Sequence, residues 1–167
     1  MINDEIKTKR EKIILDHFSD EVKQDWDSVL STFPHPRYEL IPQGIVHDGL
    51  EQVMSYYIDT RRAFPDQHHE IIKLRHSDDA VIVEFWLMGT HKGYLGKIPP
   101  TNNEFRVRMT AFFIFEGDTL IVERIYFDAL TMLKQLIGKP NWKKPSELMK
   151  AFKAIKGAIQ MSKEFNA

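Results

Sequence analysis

His91 and Asp128 are the side chains of this 167-residue chain whose settings best suit acid–base chemistry. His91 stands between Thr90 and Lys92 at the end of a strand-like run, and an imidazole titrating near neutrality is the commonest general base. Its alternative role is structural: a backbone hydrogen bond that fixes the glycine-rich segment behind it. Asp128 directly follows the aromatic pair Tyr126–Phe127, where burial would raise its pKa toward that of a usable acid. The same strand-to-helix junction also suits an N-cap. His35 and His47 flank a short strand that carries Tyr38, so they reach either a pocket mouth or only the surface.

Other clusters point to less. His68 and His69 beside Asp66 and Glu70 are metal-ligand residue types, but neighbours on a strand face opposite ways and cannot share one ion, so no metal site is expected. Arg106 and Arg108 share a strand face; they are expected to bridge acidic neighbours or a dimer partner, with a clamp on a substrate carboxylate as the alternative. The chain has no cysteine, no Gly-x-Ser-x-Gly elbow, no phosphate loop and no dinucleotide fingerprint, so neither a covalent nucleophile nor a cofactor is expected. Aromatic residues are numerous enough to line a cavity, and Trp26, Tyr38, Tyr56, Trp86, Phe113 and Tyr126 are the expected ligand-facing ones. Alternation lets only one of Phe85 and Trp86, and one of Phe112 and Phe113, face inward.

The elements that must position these residues divide into helices first and strands afterward. Ile6, Ile13, Ile14 and Phe18 lie near helical spacing from Asp4 onward, and Ser19 before Asp20–Glu21 reads as the N-cap of a second helix with a Val22, Trp26, Val29, Leu30, Phe33 stripe. Arg37 to Ile41 alternates as a short strand and Pro42–Gln43–Gly44 turns it, after which Asp48 caps a helix to Ala63. Residues 68–75, 80–91, 105–115 and 119–127 are rich in β-branched and aromatic types and are predicted to form a meander. The turns Ser77–Asp79 and Glu116–Asp118 are short enough for hairpins, while 93–103 is a loop with two prolines and two glycines. Helices over 129–137 and 146–163 close the chain, and the Met149, Phe152, Ile155, Ile159 stripe of the last reads as ordinary packing rather than a membrane anchor.

This order predicts an α+β class, a curved antiparallel sheet wrapped by the N-terminal helices into a cone-shaped α+β barrel around a pocket. Its length suits one domain over 1–167. The 23 basic and 24 acidic residues nearly cancel, which leaves no basic face for nucleic acid. No stretch has the length and apolarity of a membrane span or of a signal peptide. A cysteine-free chain of this kind is expected in the cytoplasm, without membrane or nucleic-acid partners.

The stretch Phe64–Pro65–Asp66, then Gly89–Thr90–His91–Lys92–Gly93, Gly96–Lys97–Ile98–Pro99–Pro100–Thr101, Phe113 to Gly117–Asp118, and Tyr126–Phe127–Asp128 with Leu130 to Leu136 resembles the SnoaL-like polyketide cyclase family. Order and spacing match best over 64–137, with the C-terminal helix outside the match. The resemblance implies the nuclear-transport-factor-two-like fold, a homodimer, and a pocket for a small hydrophobic, oxygenated compound. It implies cyclisation, isomerisation or dehydration, or else a non-catalytic binding module, because such folds host many activities. It also places the cyclases' acid/base aspartate at Ala111 and the ketosteroid isomerases' base at Ile41. Neither side chain can take a proton.

Overall fold

The computed structural model describes residues 3–141 and 143–164, with side chains through 160; the remaining residues of the expected 1–167 domain lie outside the described ones. Helix α1 (Asp4–Lys23) starts where the Asn3 side chain accepts a hydrogen bond from Ile6 N at 2.8 Å. It runs straight through Ser19, which therefore caps nothing. The break comes at Gln24, in the left-handed region with φ 62°, and Asp25 then caps the short α2 (Trp26–Ser31) by accepting from Ser28 N. The apolar stripe of the expected second helix is thus divided between two helices.

Strand β1 (Arg37–Leu40) leads through a single 3-10 turn (Ile41–Gln43) into β2 (Ile45–Asp48), a strand the sequence reading missed. Four residues pair antiparallel with β1, and Asp48, instead of capping the next helix, is tied to His35 at 2.7 Å and Arg37 at 2.8 Å. Helix α3 (Leu50–Ala63) follows from Gly49. Strands β3 (His68–His76), β4 (Ala80–Thr90), β5 (Glu104–Glu116) and β6 (Thr119–Phe127) form the meander, and β1 docks beside β6. The sheet order is β2-β1-β6-β5-β4-β3, with every pairing antiparallel except β1 with β6. It is curved and unclosed. Helices α4 (Ala129–Ile137) and α5 (Pro145–Glu164) complete the chain.

Along β5, Phe105, Val107, Met109, Ala111, Phe113 and Phe115 alternate inward and are buried. With Val81, Val83 and Phe85 of β4 they form the floor on which Ile14, Phe18 and Val29 of the N-terminal helices pack. Arg10 anchors α1 to the far hairpins: its guanidinium reaches Gly117 O and Asp78 O, the latter at 3.1 Å, and stacks 4.8 Å from the Phe115 ring. No helix among the described residues is long and apolar enough to cross a membrane.

The C-terminal helix reverses the expected packing. Its small residues Ala151 and Ala154 are buried, and Gly157 lies so close to the Lys97 carbonyl that a Cβ there would approach it to 2.3 Å. Met149, Phe152, Ile155 and Ile159 are exposed instead. The 93–103 loop leaves room only for a backbone with small side chains, so the bulky stripe faces away from it.

Candidate functional site

Two register shifts decide which side chains face the interior. On β3 the pairing skips Ile72, so His69 and, five residues on, Leu74 both point inward although strict alternation would separate them. On β6 it skips Ile121, which turns Glu123, Ile125 and Phe127 inward in place of Val122 and Arg124. Glu123 thereby joins a cavity of about 100 Å³ between the sheet, α1 and α3. Its walls are mainly apolar, with Phe18, Leu40, Phe85, Met109, Ile125 and Phe127 among them. The polar groups that line it are Glu21, Tyr38, Tyr56, Tyr57, His69 and Glu123, with Gln43, Thr60 and Gln67. A wider vestibule of about 580 Å³ shares Leu40, Gln43, Tyr56, Thr60 and Leu95 with it and opens outward past Glu51 and Asp59.

The polar groups form a connected network. Thr32 Oγ1 donates to Val29 O at 2.6 Å, so its lone pairs face His17 Nδ1, 3.1 Å away, which must carry the hydrogen. That leaves His17 Nε2 aimed at the Tyr38 hydroxyl, 2.9 Å away, and 3.3 Å from Glu123 Oε2. The Tyr38 hydroxyl in turn meets that of Tyr57. Burial opposes a charge on His17, but Glu123, with Glu21 and Asp20 behind it, outweighs that and raises its pKa. Burial pushes the pKa values of Tyr38 and Tyr57 well up, so both phenols remain hydrogen-bond donors at neutral pH. Among the described residues the buried side-chain atoms without a hydrogen-bond partner are Glu123 Oε2, His69 Nδ1, His76 Nδ1 and His91 Nε2, and the first two belong to residues of the cavity wall. Buried polar atoms are rarely left so without a role.

His69 is held neutral, because burial lowers its pKa to about 4. The unfolded chain takes up a proton there below about 6.5 and the folded chain does not, so this group removes stability as pH falls from about 6.5 to about 4. The shift corresponds to up to about 3 kcal/mol. His69→Gln is expected to flatten that part of the stability–pH curve in urea denaturation at pH 7 and pH 4.5. An unchanged slope would mean that the imidazole titrates normally in the fold.

The residues singled out in the sequence are distributed as follows. Tyr38 and Tyr56 line the cavity. Phe113 is fully buried in the core, edge-on to His17 and Phe18, and Trp26 stacks on Tyr57 at 4.8 Å from behind. Trp86 and Tyr126 lie on the sheet's outer face, Trp86 under the Arg106 guanidinium and Tyr126 against Phe112, and neither meets the cavity. Arg106 pairs with Glu70 at 3.3 Å and Arg108 with Glu84. Among the described residues no group of three His, Asp or Glu side chains is placed to hold a metal ion. His91 is fully buried but sits under the 92–103 loop, its Nδ1 3.1 Å from Thr101 Oγ1 and its backbone bonded to Asn102 and Asn103. Burial lowers its pKa, with a backbone bond to Gly93 opposing.

Asp128 is the N-cap of α4, accepting from Thr131 N at 2.9 Å, and its bonds to Thr131 lower its pKa rather than raise it. It is absent from the cavity wall. Asp128→Ala is therefore expected to lower Tm by about 2–4 °C, the usual effect of losing a cap in a chain this size, while leaving ligand binding in the cavity intact. Loss of binding without loss of Tm would restore a direct role for it.

The sequence model of the SnoaL-like polyketide cyclases matches residues 13–136. The chain belongs to this family. Among solved structures, a Jannaschia sp. CCS1 protein assigned to the SnoaL-like polyketide cyclases is 21% identical, with a TM-score of 0.74 over 84% of this chain and 99% of that one. A Catenulispora acidiphila protein of ketosteroid isomerase-like fold, in complex with trimethylamine, is 19% identical, with a TM-score of 0.63 over 74% of this chain and 91% of that one. A phenazine biosynthesis-related protein from Pseudomonas aeruginosa is 16% identical, with a TM-score of 0.65 over 84% and 94%. These likenesses establish the shared fold. Among proteins of curated function none matches the sequence.

Within the SnoaL-like frame, Ala111 sits fully buried on the inner face of β5, two register positions from Glu123: Ala111 pairs with Ile125 and Phe113 with Glu123. Ile41 starts the 3-10 turn and is 43% exposed. The inner face thus lacks a carboxylate at Ala111 and gains one on the adjacent strand.

Proposed function

We propose that this SnoaL-like protein binds a small, largely apolar, oxygenated molecule in the inner cavity and moves a proton within it, with Glu123 as the base. The observation that carries this reading is a buried carboxylate on an apolar wall whose Oε2 accepts no hydrogen bond and has only the His17 ring beside it, at 3.3 Å, next to two phenols that stay protonated. In such a step a C–H bond next to the ligand's carbonyl breaks and Glu123 takes the proton. The electron pair moves to the carbonyl oxygen, where the Tyr57 hydroxyl, backed by Tyr38 and His17, donates a hydrogen bond. Return of the proton to a different atom completes an isomerisation; in a cyclisation the enolate carbon attacks a second carbonyl, whose π bond breaks, and the resulting alkoxide oxygen takes the proton back from Glu123. A carboxylate in a buried, preorganised site can do this without a cofactor.

The size of the inner chamber favours a single small ring, with any larger part of the ligand extending into the vestibule. The trimethylamine bound by the Catenulispora acidiphila protein is a ligand of comparable scale on the same fold. The test combines thermal stabilisation by small cyclic ketones with proton NMR of solvent deuterium entering their α positions. A ligand at a hundredfold excess over its Kd adds about 2.7 kcal/mol of stability. The reading is abandoned if no ketone raises Tm and none exchanges faster than in buffer.

A further inference from the structure

The charge-bearing groups on the cavity wall itself are the carboxylates of Glu21 and Glu123, with the positive charges of His17 and Arg61 set behind it. Glu21 is buried, and the nearest groups to its carboxylate are the Gln67 amide at 3.3 Å and the neutral His69 at 3.6 Å; burial raises its pKa, and the charges of His17 and Arg61 oppose that only from farther off. The nearby Arg61 is committed elsewhere: its guanidinium donates to the backbone carbonyls of Glu21 at 2.8 Å and Gln67 at 2.6 Å and lies over Trp26. Glu123 adds a second carboxylate, facing His17, and His69 Nδ1 adds an acceptor with no donor. Among the described residues no lysine or arginine lines the cavity or the vestibule, and beyond Tyr56 the ionisable residues of the vestibule are Glu51, Asp59 and His47, with Asp59 answered at its rim by Arg62. The rest of the inner wall is aromatic, with Phe18, Phe64, Phe85 and the three tyrosines.

Such a chamber repels anions and attracts cations. A buried carboxylate with neutral partners is costly unless an opposite charge arrives, and ring faces add attraction for a desolvated ammonium. We propose that the ligand of this cavity carries a cationic nitrogen, a small protonated or quaternary amine with apolar substituents, held by Glu21 and the aromatic wall. This rests on the cavity being the ligand site and narrows its substrate class to amine-bearing carbonyl compounds, leaving Glu123 Oε2 free for the proton transfer. The cation gives Glu21 a direct ion pair, which His17 and Arg61 supply only from a distance, and an N–H of a protonated amine satisfies His69 Nδ1.

The test uses three molecules of one shape and different charge: choline, its neutral carbon isostere 3,3-dimethylbutan-1-ol, and the anion 3,3-dimethylbutanoate. Binding to the full-length protein is measured by calorimetry and by Tm at pH 7.5. Choline is expected to bind at least tenfold more tightly than the alcohol and the anion least, and Glu21→Gln is expected to erase the preference of choline over the alcohol. Should that variant fail to fold, the comparison on the unaltered protein decides alone. Equal or tighter binding of the alcohol or the anion overturns the inference. If none of the three binds while a cyclic ketone does, the cationic class falls and the cavity's role stands; if the ketone fails as well, both fall together.

Discussion

Glu123→Gln is expected to slow any proton transfer in the cavity by about a hundredfold to ten-thousandfold while the protein stays folded. The range is what loss of a general base costs, about 3–5 kcal/mol of barrier. Glutamine keeps the volume and a carbonyl oxygen but cannot accept a proton, so binding of a ketone should persist as the rate collapses. The fold survives because His17, whose raised pKa depends on Glu123, sheds its proton instead of remaining as a buried unpaired charge. Glu123→Asp separates chemistry from support: it keeps the carboxylate but withdraws it by one methylene, and a misplacement of about 1 Å can itself cost about a hundredfold. Deuterium exchange measured for the three proteins should rank them unaltered, Asp, Gln. If the Gln variant exchanges as fast as the unaltered protein, Glu123 is not the base.

The loss of His17's partner also has a sign in pH. A folded pKa raised above the unfolded value contributes stability that is complete below about 6.5 and disappears as pH rises through the folded value. His69, held neutral, acts in the opposite direction from about 6.5 down to about 4. The two buried histidines therefore pull stability in opposite senses, and only the contribution of His17 should vanish in Glu123→Gln.

The class of fold, the four-strand meander, the hairpin turns and the closing helices were legible in the sequence because local periodicity and turn chemistry specify them. The base was not. Alternation counted from Leu120 puts Val122 and Arg124 inward, and only the skipped Ile121 brings Glu123 to the inner face; a bulge is a relation between two strands and leaves no mark in one. His69 was set aside as half of an adjacent pair for the same kind of reason, since its inward setting becomes meaningful only once Glu21 of α1 packs across from it. Glu21 and His17 lie on a helix whose many charges look solvated, and the strand residues that meet their side chains, His69 for Glu21 and Glu123 for His17, are more than forty residues away in sequence. His91 and Asp128 drew attention because their neighbours are informative. In the structure Asp128 caps its helix and His91 is bonded beneath the 92–103 loop, geometries that match the alternatives the sequence allowed for each.

The position of Glu123 depends on the core beneath it, and Phe113 is the residue that most directly supplies that support. It is fully buried, is Glu123's register partner on β5, and stands edge-on to Phe18 at 5.7 Å and to His17 at 5.8 Å. Phe113→Ala removes a ring from a site walled by two strands and α1, none of which can collapse into the space without shifting the others. The expected loss is about 3–5 kcal/mol, or a fall in Tm of roughly 6–20 °C at about 2–4 °C per kcal/mol for a chain of this size. Phe113→Leu retains most of the volume and is expected to lose less than half as much. Because the vacated space borders His17 and Glu123, the Ala variant should also weaken ketone binding at temperatures where it is still folded, whereas Trp86→Ala on the outer face should not. A Phe113→Ala loss below about 1 kcal/mol in urea denaturation would mean that α1 is not pressed onto this part of the sheet. The alignment of His17, Tyr38 and Glu123 would then lack the rigid support that proton transfer requires.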